Sequence, residues 1–143
     1  MTTTPISRKR DVSALIRRRL MLVDDLTALV EDRIRTAHAE DPDADLTYPL
    51  VIVDVEAGSG RYQGGMQSWT VDVYAYSDES QDLADKVYDA LYLGLQAERL
   101  WDPSGAIGAA GYAREVERPE PGYNEQTRSW FGRGAWVVTV AGG

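Results

Sequence analysis

The chain contains no cysteine and a single histidine, His38, and these scarcities remove several classes of chemistry. Without cysteine there is no disulfide framework, no thiolate nucleophile and no zinc site built on Cys. One histidine excludes any site that needs two imidazole ligands, and a Ser-His-Asp triad would have to use His38. Catalysis would otherwise rest on carboxylates, which are spread over predicted loops and helix surfaces without a shared cleft. We therefore expect a protein that is not an enzyme.

The sequence also has no long apolar run. The apolar segment that follows Arg17–Arg19 extends only from Leu20 to Val23 before Asp24 interrupts it, which excludes a secretory signal peptide. No stretch approaches the ~18 consecutive apolar residues of a membrane-spanning helix. We therefore expect a soluble, intracellular protein that does not enter a membrane.

Positive charge is scarce as well. The 143 residues include 15 Lys and Arg against 23 Asp and Glu, a net charge of -8, which is opposite to the basic surface of a tight nucleic-acid binder. With 43% hydrophobic and 27% charged residues, the composition is that of one soluble globular domain. We expect residues 1–10 to form a flexible arm and residues 11–143 to form this single domain.

Two segments partly match known ligand-binding loops. Alternating aspartates in segment 41–45 are typical of the start of an EF-hand calcium loop, but Leu46 stands where that loop needs glycine and Ile52 where it needs a bidentate glutamate. The glycine-rich segment 57–65 lacks the Gly-Lys-Ser/Thr of a phosphate-binding loop. We expect an acidic loop and a turn there, with no metal or cofactor.

Helical periodicity is clear in two parts of the chain. Apolar residues at spacings of three and four predict helices over about 11–22 and 25–32. A longer helix is predicted to begin after Ser77 or Asp78 as its N-cap, with Gln81 closing a capping box. The apolar stripe of this longer helix is Leu83, Val87, Leu91 and Leu95.

Period-two alternation predicts the strands. In segment 66–76, Trp69, Val71 and Val73 face one side and polar residues face the other, as in a half-buried antiparallel strand. Pairs of strands separated by a helix predict an α+β fold. We expect an antiparallel sheet of about four strands, with the one long helix packed on one face and N-terminal helices beside it. The predicted strands are 48–55, 66–76, 112–118 and 127–140, with a turn at 117–124 and an extended segment beginning at 33–36.

Aromatic residues with a polar atom are numerous. The chain has eight Tyr and four Trp, too many for all of them to be core residues of one small domain. Aromatics of this kind on a surface favour protein contacts over bulk water. The composition therefore predicts an oligomer or a partner interface.

Six short segments follow one another in a distinctive order. They are LeuThrAlaLeuValGluAspArgIle (26–34), ThrTyrProLeuValIle (47–52), TrpThrValAspValTyrAlaTyrSer (69–77), GluSerGlnAspLeuAlaAspLysValTyrAspAla (79–90), GluProGlyTyrAsn (120–124) and TrpPheGlyArgGlyAlaTrpValValThrVal (130–140). Over residues 12–140 this order resembles the tail terminator, or tail completion, proteins of long-tailed bacteriophages.

The resemblance implies a small α+β subunit that assembles into a ring, usually hexameric, at the head-proximal end of the tail tube. Such a ring does no chemistry and holds no cofactor. Its implied partners are copies of itself, the tail tube protein and the head–tail connector or stopper protein, and DNA passes through its bore without specific binding. The implied location is the tail or neck of the virion, reached from the host cytoplasm during assembly. Acidic residues lining the bore would repel phosphate, although ordinary solubility equally explains the net charge.

Two groups of residues are candidates for the contacts of such a ring. Arg61, Tyr62, Gln63 and Met66 lie in or beside the glycine-rich turn, where they could contact the tube or a neighbouring subunit. The alternative for this segment is a mobile surface turn.

The second group is the cation cluster Arg17, Arg18 and Arg19, which could pair with an acidic surface of a neighbouring subunit. The alternative for the cluster is a solvated helix face. The sequence leaves two other functions open: a head-closure or stopper ring, and an unrelated enzyme or cytosolic binding module.

Overall fold

The computed structural model describes residues 9–36, 47–58, 66–96 and 109–142. Within these residues the chain forms three helices and five strands. In chain order they are α1 (Lys9–Met21), α2 (Asp24–Val30), β1 (Ile34–Thr36), β2 (Leu50–Gly58), β3 (Met66–Ser77), α3 (Gln81–Leu95), β4 (Ala109–Asn124) and β5 (Ser129–Gly142). The predicted α+β class and the two N-terminal helices are confirmed. The predicted arm, residues 1–10, lies mostly outside the described residues, and α1 already begins at Lys9.

The sheet is larger and less uniform than the sequence predicts. The described strands form one five-stranded sheet in the order β1-β2-β3-β5-β4. β1 pairs with β2 in parallel, whereas the other neighbours are antiparallel. The prediction of an antiparallel sheet of about four strands is therefore wrong in number and direction. A strand as short as Ile34–Thr36 has too few residues for alternation to reveal its pairing partner.

The C-terminal hairpin is also longer than expected. The predicted turn at 117–124 is wrong, because β4 continues to Asn124 and the turn occupies 125–128. The Asn124 side-chain oxygen accepts hydrogen bonds from the backbone N–H groups of Gln126 and Thr127 and so closes this turn. Pro119 and Pro121 suggest a turn, but β4 is an edge strand, where a missing N–H leaves no neighbour unpaired.

One face of the sheet carries the core. The alternation in β3 is confirmed, with Trp69, Val71, Val73 and Ala75 all buried. α3 lies against β3, β5 and β4, while α1 lies against β1 and β2. No helix among the described residues packs on the other side of the sheet, which we call the helix-free face. The largest fully buried side chains are Trp136, Leu15, Ile16, Leu20, Leu26, Ile34, Leu50, Leu91 and Leu95.

α3 begins later than predicted. Its N-cap is Ser80, whose side chain accepts a hydrogen bond from the backbone N–H of Leu83. Of the two predicted caps, Ser77 instead accepts from the N–H groups of Glu79 and Ser80, in the turn before the helix. Gln81 closes no capping box, since its amide donates to Asp85 and to the Phe131 carbonyl.

Candidate assembly surfaces

Three aromatic side chains form a cluster on the helix-free face. Antiparallel pairing places Tyr76 opposite Phe131 and Tyr74 beside them. The Tyr74 and Tyr76 rings stack with centroids 5.8 Å apart, and the Tyr76 and Phe131 rings are tilted at 5.7 Å. All three side chains are only half-buried. They provide a rigid aromatic surface of the kind enriched in protein interfaces.

Charged groups border this cluster. Arg133 Nη2 donates to Asp72 Oδ2 at 3.0 Å, and its guanidinium carbon lies 5.8 Å from the centre of the Tyr74 ring. Asp72 is 2% exposed, so this ion pair neutralises a nearly buried carboxylate. The hydrogen bond to Asp72 and the negative charge of Asp72 raise the pKa of the Glu56 carboxyl above its ordinary value. Burial is the largest cause of a raised pKa at Tyr74.

On the core side of the sheet, two hydrogen bonds link three side chains in a row. Trp136 Nε1 donates to the Tyr88 hydroxyl at 3.1 Å, and that hydroxyl donates to Glu115 Oε2 at 2.6 Å. Burial, followed by the hydrogen bond to Glu115, raises the pKa of Tyr88 far above its ordinary value. Tyr88 is therefore neutral at physiological pH. Its geometry indicates that it fixes α3 to the sheet.

Both edges of the described sheet carry features that disfavour pairing with another strand. At the β1 edge, the Arg33 carbonyl accepts from Val51 of β2, so the Ile34 carbonyl points away from the sheet. Arg17 Nε donates to this outward carbonyl at 2.7 Å. At the β4 edge, prolines 119 and 121 interrupt the row of donors. Such devices discourage edge-to-edge association.

A groove runs between α3 and the β4 edge. Its volume is about 370 Å³. The helix contributes an acidic wall, the strand contributes prolines, and a glycine of β5 forms part of the floor. The lining residues are Asp85, Tyr88, Asp89, Pro119, Pro121 and Gly132.

The structure gives different environments to the three arginines predicted as a charged contact. Arg17 is bound to the Ile34 carbonyl, and Arg19 Nε donates to the Gly94 carbonyl at 3.1 Å. Arg18 is exposed, and its guanidinium has no partner among the described residues. Two of the three cations thus take part in holding the subunit together. The predicted intersubunit contact stays a prediction, with Arg18 as its free cation.

The second predicted group falls almost entirely outside the described residues. Arg61, Tyr62 and Gln63 are among the residues that the structure leaves undescribed, and Met66 is the first residue of β3. Their role at an interface therefore stays a prediction.

Metal sites and membrane spans are both absent from the part of the chain that the structure describes. In residues 9–36, 47–58, 66–96 and 109–142, no group of three or more His, Cys, Asp or Glu side chains is arranged to hold a metal ion. Over the same ranges, no helix combines the length and hydropathy needed to cross a membrane.

Comparison with known proteins gives a match of fold rather than of sequence. No protein-family model matches the chain, and no curated protein is similar to it in sequence. A chain in the solved structure titled "Virion of native gene transfer agent (GTA) particle" matches this fold with a TM-score of 0.65 and 17% sequence identity. The fold is shared with a virion chain. The match covers 96% of this chain and 99% of the virion chain, so the likeness extends over nearly the whole of both.

Sequence reasoning missed the ion pair and much of the aromatic cluster. The alternation of β3 places Asp72, Tyr74 and Tyr76 together on the side opposite the core, and that much is visible in the sequence. Their neighbours Phe131 and Arg133 come from β5, about 60 positions further along. Only the register between the two strands brings them together.

Proposed function

We propose that this protein is a structural virion subunit, a tail terminator that forms a ring at the head-proximal end of a phage tail tube. The observation that carries the proposal is the fold shared with a gene transfer agent virion chain across nearly the full length of both chains. Separately, the ordered segments from 26–34 to 130–140 resemble those of the tail terminator proteins, which form rings. In this role the protein is not an enzyme and needs no cofactor.

A ring of this kind has a physical task that needs no active site. A tail tube is a head-to-tail stack, and its contacts do not close, so it grows until a subunit with one matching face and one different face is added. A terminator ring supplies that different face, which then receives the connector or stopper protein of the head. DNA crosses the bore without specific binding.

The described surfaces are suited to this role. Guarded sheet edges at Arg17 and at Pro119 and Pro121 disfavour open-ended strand addition. Contacts must then be made by side chains, and the aromatic cluster of Tyr74, Tyr76 and Phe131 offers a half-buried surface for them.

The test of the proposal has two measurements on the full chain. Light scattering coupled to size-exclusion chromatography gives the mass of the assembly, and negative-stain microscopy gives its shape; we expect a ring with a central bore. The ring is then added to growing tubes of the tail tube protein from the same phage, and we expect shorter tubes with a cap at one end.

The possible outcomes separate the candidates. A monomer at all concentrations would contradict the ring. A ring that leaves tube length unchanged but binds the head connector would assign the protein to a stopper or head-closure ring instead.

A further inference from the structure

We propose that neighbouring subunits of the ring contact each other by inserting the outward side of α1 from one copy into the α3–β4 groove of the next. This inference rests on the proposed ring. It names the two surfaces that form the contact and places Arg18 opposite the acidic wall of the groove.

The groove has the chemistry to accept a cation with apolar flanks. Asp89 is exposed and has no hydrogen-bond or ion-pair partner among the described residues. Asp85 is also exposed, and within the described ranges its carboxylate accepts one hydrogen bond, from the Gln81 amide to Oδ1. Pro119 and Pro121 provide an apolar surface without backbone donors. A guanidinium with an aliphatic stem fits such a mixed surface, because the stem packs on the prolines and the head pairs with the carboxylates.

The outward side of α1 has the complementary pattern. Ala14 and Arg18 are four residues apart and so lie along one line of α1, and Leu22 lies in the turn that directly follows the helix, which ends at Met21. All three are exposed, and Leu22 is 62% exposed although it is a large apolar residue. The outward side of α1 and the turn after it therefore present a small residue, a cation without a partner among the described residues, and an exposed leucine.

The occupant of the groove is a second copy, because α1 and the groove of the same chain lie at opposite edges of the sheet. α1 lies over β1 and β2, whereas the groove lies beside β4 at the other edge of the sheet. A contact between two different surfaces of identical subunits is heterologous, and it generates a ring when the rotation from one subunit to the next closes, as the proposed function requires. Identical chains with a net charge of -8 repel each other. The contact between them is therefore favoured where a cation of one copy meets carboxylates of the next.

The absence of cysteine permits a clean proximity test. Arg18→Cys and Asp89→Cys are made as separate variants and mixed, and a short bis-maleimide is added to the assembled protein. We expect covalent dimers in the mixture and little product from either variant alone. A variant carrying both substitutions is expected to give a ladder of products that ends at the size of the ring.

A charge exchange tests the energetics of the same contact. Arg18→Glu and Asp89→Arg are each expected to weaken association about tenfold at low salt, and less at high salt because ions screen the pair. The protein carrying both substitutions is expected to recover association. Arg114→Glu is the matched control, since Arg114 is exposed on β4 and faces away from the groove, and it is expected to leave association unchanged.

The outcomes separate this contact from the ring itself. Rings of normal mass with no mixed cross-link and no charge recovery would overturn the contact while leaving the proposed function intact. Cross-linking of Arg18→Cys with itself would also overturn it, because that product requires a symmetric contact. A monomeric wild type would instead contradict the ring.

Discussion

At the scale of single residues, the contact between α3 and the sheet depends on side-chain size. A Cβ added at Gly134 would overlap the Tyr88 hydroxyl, whereas one added at Gly132 would lie 3.9 Å from Tyr88 Cβ, an ordinary contact. Gly134 is thus the position that gives Tyr88 room to reach both Trp136 and Glu115.

Gly134→Ala is expected to lower the free energy of unfolding by about 1–3 kcal/mol, because the new methyl group displaces Tyr88 from both of its partners. Gly132→Ala is the matched control on the same strand and is expected to change stability by less than about 0.5 kcal/mol. The midpoint of urea unfolding measures both variants. Equal effects would contradict a specific role for the space above Gly134.

The pKa of Glu56 makes stability depend on pH. A raised pKa means that the folded protein holds this proton more tightly than the unfolded chain does. Stability contributed by this group is therefore present below the ordinary value of 4.5 and falls as pH rises through the raised pKa. We expect Glu56→Gln to stabilise the protein at pH 7 and to flatten the dependence of the urea midpoint on pH above 4.5.

Glu125→Gln in the β4–β5 turn is the control for this pH experiment, because it removes the same charge from an exposed site. It is expected to leave the pH dependence as in the wild type. If Glu56→Gln and Glu125→Gln shift the midpoint alike at every pH, net charge rather than the proximity of Asp72 is the cause.

At the scale of elements, helix boundaries depend on which hydroxyl reaches a free N–H. Segment 77–81 contains three candidate caps, and Ser80 is the one whose oxygen bonds the third N–H of α3. Ser77 organises the preceding turn instead.

Ser80→Ala is expected to destabilise the protein by about 1 kcal/mol, since it leaves the Leu83 N–H without its acceptor. Asp78→Ala removes a polar side chain from the same segment without removing a cap and is expected to cost less than about 0.5 kcal/mol. Urea unfolding of the two variants compares the effects directly. If Asp78→Ala lowered stability more than Ser80→Ala, the N-cap of α3 would instead be Asp78, one of the two caps that the sequence predicts.

At the scale of the whole molecule, the described residues form a sheet with helices on one face only, and both edges of the sheet carry features that disfavour pairing with a further strand. Arg17 and Arg19 hold α1 to β1 and α3, which leaves Arg18 for an external contact. The glycine-rich segment 57–65 begins at the end of β2 and precedes β3 along the chain, and its residues 59–65 lie outside the described residues, so its role at the tube stays a prediction.

Replacing both Arg61 and Tyr62 by alanine is expected to leave a folded ring that caps tubes poorly, because the substitutions remove candidate contact groups of the glycine-rich segment and neither residue belongs to the described core. Ring mass by light scattering and tube length by electron microscopy are measured on the same preparation. Tubes of normal capped length would remove this segment from the tube contact, whereas loss of the ring would assign it to the contact between subunits.

Features that depend on neighbouring residues can be read from the amino-acid order alone. Periodicity places the helices and the central strands within a few positions, and the alternation in β3 identifies its buried face. The sequence alone also narrows the range of possible functions, because the absence of cysteine and the scarcity of positive charge are properties of composition.

Contacts between distant residues depend instead on how the whole chain packs. Arg17 bonds a carbonyl 17 positions away, Arg133 pairs with a carboxylate 61 positions away, and Arg19 bonds a carbonyl 75 positions away. The parallel pairing of β1, the edge position of the β4 prolines and the groove beside α3 also depend on contacts between residues that are distant in the sequence. Each depends on strand register and on the order of strands in the sheet, which are set by burial of the whole core rather than by local pattern.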